Sequence, residues 1–109
     1  MKNIFIIGII IPFLSFGQKI YVTDYAYQAD IKVAIVDYAY QADLGVYKVG
    51  YSYQTGKNNG RWYFVDYAYQ SDLKIYFVDY EYQSDLQIYF VDYAYQAGWK
   101  NNSKKYLLY

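Results

Sequence analysis

The chain has 109 residues, with ten Lys plus Arg against ten Asp plus Glu, and it contains no His and no Cys. That length suits one domain. The missing Cys excludes a disulfide framework and a thiol nucleophile, the missing His removes the commonest general base and metal ligand, and zero net charge leaves no footprint for nucleic acid or an anionic membrane.

Residues 1–17 read as a secretory leader. Lys2 gives a short positive start, Ile4 to Leu14 form an apolar run broken by Gly8 and Pro12, and Ser15-Phe16-Gly17 sets small residues ahead of Gln18. A charged start, an apolar stretch of about 7–15 residues and a small-residue cleavage site make up the signal-peptide pattern. The run falls short of the roughly 20 apolar residues that span a bilayer, and with no Cys at the junction a lipoprotein anchor is excluded. The expected products are a leader at 1–17 and a single β-repeat domain at 18–109, secreted or periplasmic, with no membrane contact after cleavage. Intact-mass analysis of protein from its native host should find Gln18 as the first residue; a cytosolic product retaining Met1 would contradict the assignment.

From Gln18 onward the chain is a tandem repeat. Tyr-x-Tyr-Gln recurs at Tyr25, Tyr38, Tyr51, Tyr67, Tyr80 and Tyr93, spaced by 13, 13, 16, 13 and 13 residues, in units starting near 24, 37, 50, 66, 79 and 92. The longer spacing comes from an insertion, Thr55 to Val65, whose Lys57-Asn58-Asn59 is echoed by Lys100-Asn101-Asn102. The chain therefore divides into two halves of three repeats, with a pseudo-twofold relating 20–65 to 62–109. Between the tyrosine strings lie seven β-prone pieces, at 20–22, 33–36, 46–49, 62–65, 75–78, 88–91 and 106–109. They are rich in Val, Ile, Tyr, Phe and Trp, the residues that fit a pleated surface. No window after the leader carries a sustained helical stripe. The expected class is all-β, a compact tandem-repeat structure of about seven short strands.

Side-chain alternation predicts the core. Read as one strand, Leu73 to Gln83 puts Leu73, Ile75, Phe77, Asp79, Glu81 and Gln83 on one face and Lys74, Tyr76, Val78, Tyr80 and Tyr82 on the other. The apolar side then swaps near Val78-Asp79, where a bend would feed two packed layers. On this reading Tyr67, Tyr69, Val78, Tyr80, Tyr82, Val91, Tyr93 and Tyr95 form the core, because little Leu or Phe remains to build one. The alternative is an exposed tyrosine row, an aromatic face for a glycan or a protein partner.

Asp30, Asp43, Asp72 and Asp85 fall at the predicted corners, where Asp accepts hydrogen bonds from nearby amides. Gly56 and Gly98 replace it in two units, which favours a structural role. Stacked carboxylates raise a calcium reading, but Gly-rich loops holding several acids together are missing, so no metal, cofactor or catalytic residue is assigned. Gln28, Gln41, Gln54, Gln70, Gln83 and Gln96 form a row suited to intramolecular amide ladders, or to self-association. Lys100, Lys104 and Lys105 are expected on a solvated turn ahead of a last strand.

Units of the form DYxYQADLxVYxV, closed by GWxNxSKKxLLY, resemble a family of small bacterial Tyr-rich 13-residue tandem-repeat proteins without a defined activity; the resemblance covers residues 20–109. The units also resemble small Tyr-rich β proteins wound as deep torus knots, which implies a knotted, torus-like winding here, although true knots are rare. Departures are Ala34 in place of Tyr, Gly50 in place of Asp, and Lys48 in an apolar slot, which weaken the second and third units as packing elements. The functional expectation is a structural or binding module at the cell envelope or outside the cell, and not an enzyme. A self-assembling matrix or adhesion protein is the alternative, and glycan binding through exposed Tyr rows a third reading. The partner, whether protein, glycan or a second copy, is left open; nucleic acid is not expected.

Overall fold

Alternation within each repeat decides which side chains face inward, and the strands close on themselves around them. The computed structural model describes residues 18–108, so the proposed leader lies outside the described residues. Seven strands follow in order: β1 (Gln18–Val22), β2 (Ile31–Ile35), β3 (Leu44–Lys48), β4 (Arg61–Phe64), β5 (Leu73–Val78), β6 (Leu86–Phe90) and β7 (Gly98–Trp99). Hydrogen bonding runs β4-β1-β5-β2-β6-β3, and β3 returns to β4, which closes a six-stranded parallel barrel; β7 adds antiparallel to β3. The fold is all-β, as the repeat pattern predicts.

Strands of the first half (β1–β3) alternate around the barrel with strands of the second (β4–β6). Gln18 pairs with Trp62, Ile31 with Ile75 and Leu44 with Ile88, while Ile20 also pairs with Leu73 and Val33 with Leu86. The two halves thus interdigitate, and a step from one strand to the next passes over an intervening strand, except between neighbouring β3 and β4. This is the torus-like winding that the resemblance implied.

The middle inward layer holds one residue from each barrel strand: Ile20, Val33, Val46, Trp62, Ile75 and Ile88, all 0 % exposed. Burying each contributes about 1.5–3 kcal/mol. Leu44, Leu86 and Ile31 fill one end, where Leu108 covers them and its carbonyl accepts from Gln18 Nε2 at 3.3 Å. Phe64, Phe77 and Phe90 pack at the other end. There Lys48 is no packing defect: its ammonium lies 4.7 Å from the Phe90 ring centre and 5.5 Å from that of Phe64. A cation over aromatic faces covers the mouth while its charge stays in water.

The core is therefore not the one expected. Tyr67, Tyr69, Tyr80, Tyr82, Tyr93 and Tyr95 are exposed, and Val78 and Val91 are only half-buried. The strand does not run on through Gln83. It ends at Val78, and Glu81–Gln83 forms a single 3-10 turn, repeated at every Tyr-x-Tyr-Gln string. The Gln83 amide closes it onto the Tyr80 carbonyl at 3.0 Å, an i→i+3 bond that ends the two-residue alternation. One layer closed into a barrel replaces the expected pair of layers. The last predicted strand, 106–109, is also corrected: Asn102–Leu108 is a 3-10 helix, and Gly98–Trp99 is the seventh strand. Within that tail Lys104 pairs with Asp43 at 3.2 Å.

The corner aspartates act across the chain instead of locally. Asp30 donates its amide to the Lys74 carbonyl (2.7 Å), and the Lys74 amide donates back to Asp30 Oδ2 (2.8 Å). Asp72 clasps Lys19, Asp85 clasps Lys32 and Asp43 clasps Gln87 in the same two-way manner. Each clasp joins residues 44 or 53 apart, tying one half to the other. Charge-assisted bonds of this kind are about twice as strong as neutral ones. The glutamines form no ladder either: Gln41, Gln54 and Gln96 accept from the Tyr38, Tyr51 and Tyr93 amides of their own turns, and Gln28 accepts from the Thr23 hydroxyl.

At Gly60 the barrel wall has no room for a side chain. Its φ is +87°, and an added Cβ would collide with the Gly45 carbonyl and approach the Gly98 nitrogen to 3.0 Å. Both neighbours are backbone. Gly60→Ala should therefore lose at least the 1–2 kcal/mol or so that L-residues lose in this region, whereas Gly50→Ala, whose Cβ would meet only the Gln54 side chain at 3.8 Å, should be neutral. Equal melting temperatures for the two variants would contradict this packing.

Candidate functional site: tyrosine pairs and the grooves between crossovers

Each crossover begins where a strand reaches its terminal Val or Thr and must travel back to the start of the next parallel strand. Tyr-x-Tyr-Gln makes that return in one tight turn. The first Tyr stays extended (Tyr67 φ −130°, ψ 140°) and the next three residues coil. That geometry brings the rings at positions i and i+2 together on the outside. Six pairs result, Tyr25–Tyr27, Tyr38–Tyr40, Tyr51–Tyr53, Tyr67–Tyr69, Tyr80–Tyr82 and Tyr93–Tyr95, with ring centres 5.6–5.8 Å apart. Five are stacked within 15–20° of parallel, and the first is tilted by 34°.

Exposure within a pair is graded. The first ring is 58–61 % exposed and the second 79–83 %. Single exposed aromatics need no explanation, but twelve arranged as six like pairs do. Tyr has few rotatable bonds and an amphipathic ring, so it contributes contact area at little entropic cost. Because these rings are outside the core, Tyr80→Ala should lose no more than the roughly 0.5–1.5 kcal/mol of an aromatic pair. A loss of about 3–5 kcal/mol, the range for truncating a buried aromatic, would mean the ring is inside.

Beside the pairs the surface forms grooves of one repeating composition. One, of about 550 Å³, is bounded by Tyr63, Asp66, Tyr69, Gln70 and Lys19. A second, about 540 Å³, uses Tyr76, Asp79, Gln83 and Lys32. A third, about 620 Å³, uses Tyr47, Gly50, Tyr53, Gln54 and Arg61. In repeat terms these are the same positions: the outward Tyr of a strand, the residue after its final Val, the turn Gln, and a cation near the start of an adjacent strand, which is the strand passed over in the first two grooves and β4 itself in the third. Asp66 and Asp79 take no part in the clasps and are exposed. Each of the first two grooves therefore brings an aromatic wall together with a carboxylate, an amide and an ammonium.

The sequence-predicted site residues separate accordingly. The tyrosines named for the core come to the surface as pairs, Val78 lies at the edge of a groove, and the four corner aspartates are spent on clasps. Among the described residues no group of three or more His, Cys, Asp or Glu is placed to hold a metal ion, and no helix is long and apolar enough to cross a membrane. Sequence reasoning missed the cations as members of the grooves. The signal was present, since Lys19, Lys32 and Lys74 recur at one repeat position.

A family model described as a 7(1) septoil knot domain matches residues 17–100. No curated protein and no solved structure matches the chain.

Proposed function

Since the chain belongs to the septoil knot family, whose description names a winding and no chemistry, we propose a function from its surface: an exported binding module that meets its partner through the tyrosine pairs. The observation that carries this reading is the repeated outward stacking of six pairs on a closed barrel. The interior already has its aliphatic layer and Trp62, so stability gives no reason for twelve aromatics outside. The leader-like sequence at 1–17 supports action at the cell envelope or beyond it. The absence of His and Cys from the sequence supports binding over catalysis. Among the described residues, closure of the barrel leaves only the short Gly98–Trp99 strand at an edge, which argues for a binding module over edge-to-edge assembly.

The test compares the wild type with a variant carrying Ser at Tyr27, Tyr40, Tyr53, Tyr69, Tyr82 and Tyr95. Immobilised on beads, the wild type should retain material from envelope fractions of the native host. The variant should melt at nearly the same temperature and retain none of it. Equal retention by both would remove the tyrosine pairs from the function.

A further inference from the structure

We infer that the grooves between crossovers are sugar-binding subsites, and that the ligand is a neutral polysaccharide engaged at several of them at once. The inference rests on the binding-module reading and assigns its ligand class.

A pyranose ring has two apolar C–H faces and a rim of hydroxyls, each able to donate one hydrogen bond and accept two. A site for it needs a flat apolar wall beside both donors and acceptors. The groove at Tyr63 and Tyr69 has that composition, with Asp66 as acceptor, Lys19 as donor and Gln70 as both. The groove at Tyr76 repeats it with Asp79, Lys32 and Gln83. Hydrogen bonds from a hydroxyl rim to ionised groups are roughly twice as strong as neutral ones.

Charge selects among ligand classes. One carboxylate and one ammonium in each of these grooves leave no surplus for a polyanion, whose binding depends on neutralising many phosphates. A specific protein interface wants a contiguous patch of about 800 Å² per partner, depleted of charge at its centre; here charges sit inside each groove. A neutral hydroxylated chain meets neither objection.

Repetition points to a polymer. The groove occurs at three of the turns with the same repeat positions, so a ligand of identical units can occupy several. Linked weak sites gain about 10²–10⁴ in avidity without any new contact. Each subsite is shallow, so affinity should depend on chain length.

The experiment titrates the domain at 18–109 with glucose, cellohexaose, laminarihexaose and chitohexaose, and measures its retention on the matching insoluble polymers. One polymer should retain the protein, binding it at least about 10²-fold more tightly than its own hexaose. Asp79→Asn and Lys32→Met leave every ring in place and the clasp backbone intact. Each should weaken hexaose binding severalfold with an unchanged melting temperature, which a merely sticky aromatic surface would not do. Retention by no polymer, combined with tyrosine-dependent capture from envelope fractions, would overturn the sugar assignment and leave the binding module standing. Loss of all tyrosine-dependent capture would overturn both.

Discussion

Replacing Trp62 by Ala should unfold much of the protein at temperatures where the wild type is intact. Trp62 is the largest side chain in the central layer and is 0 % exposed, edge-on to Phe64 at 6.1 Å. Its neighbours in that layer are aliphatic, held by a closed barrel that cannot collapse inward. Truncating a buried Phe or Trp costs about 3–5 kcal/mol, out of a total of about 5–15 kcal/mol for a domain. At about 4–8 °C per kcal/mol, the midpoint should fall by roughly 12–40 °C. Trp62→Phe is the informative contrast. It keeps a ring and deletes Nε1, which is buried without a partner among the described residues. Losing one ring of the indole leaves a smaller cavity than Ala does and so costs less, and losing an unpaired donor offsets part of that. Calorimetry is the suitable readout, since tyrosine bands distort circular dichroism. A Trp62→Ala protein melting within a few degrees of wild type would refute the packing.

Refolding from denaturant should be slow, with a half-time of seconds or longer. Every barrel pairing except β3–β4 joins residues 44 or 53 apart, as in Gln18 with Trp62 and Ile20 with Leu73. Only the β3–β4 pairs, Tyr47 with Arg61 and Lys48 with Trp62, are closer, at 14. Folding rate falls as contacts become less local, and ordinary all-β domains already take milliseconds to seconds. Here the first half cannot complete its sheet before the second is made, and each crossover must then pass over a strand. The slow step cannot be assigned to proline or to disulfides: the chain's one Pro is Pro12, outside the segment 18–109, and there is no Cys. Stopped-flow fluorescence of the domain at 18–109 checks this. A single millisecond phase carrying full amplitude would contradict the interleaved winding.

Much of this architecture is written in the repeat. Leu73, Ile75 and Phe77 were legible as one apolar face, and they point into the barrel. The error came from carrying the same alternation through Asp79 to Gln83. The i→i+3 bond onto the Tyr80 carbonyl changes the local geometry there, and nothing in alternation alone announces it. The shortage of Leu and Phe also misled, because it made Tyr look indispensable to the core. A six-stranded barrel has a small interior, and Ile, Val, Leu and one Trp fill it.

Pairing order was hidden for a different reason. Near-identical units offer near-identical registers, so alternation cannot say which unit sits beside which. The residues that break the degeneracy are the odd ones: Gly45 and Gly60 meet in space near Gly98, and Lys48 covers Phe90. In the sequence Lys48 looks like a decayed repeat position. In the fold these residues are where backbone meets backbone and where the barrel mouth is covered.

The outward tyrosine pairs are the centre of the account, and chemical nitration mapped by mass spectrometry tests them most directly. With the protein native and in limited reagent, both members of all six pairs should be modified, the 79–83 % exposed rings ahead of their 58–61 % exposed partners, with no change in the melting transition. Protection of Tyr67, Tyr80 and Tyr93 until the protein is denatured would put those rings back in the core and contradict the account.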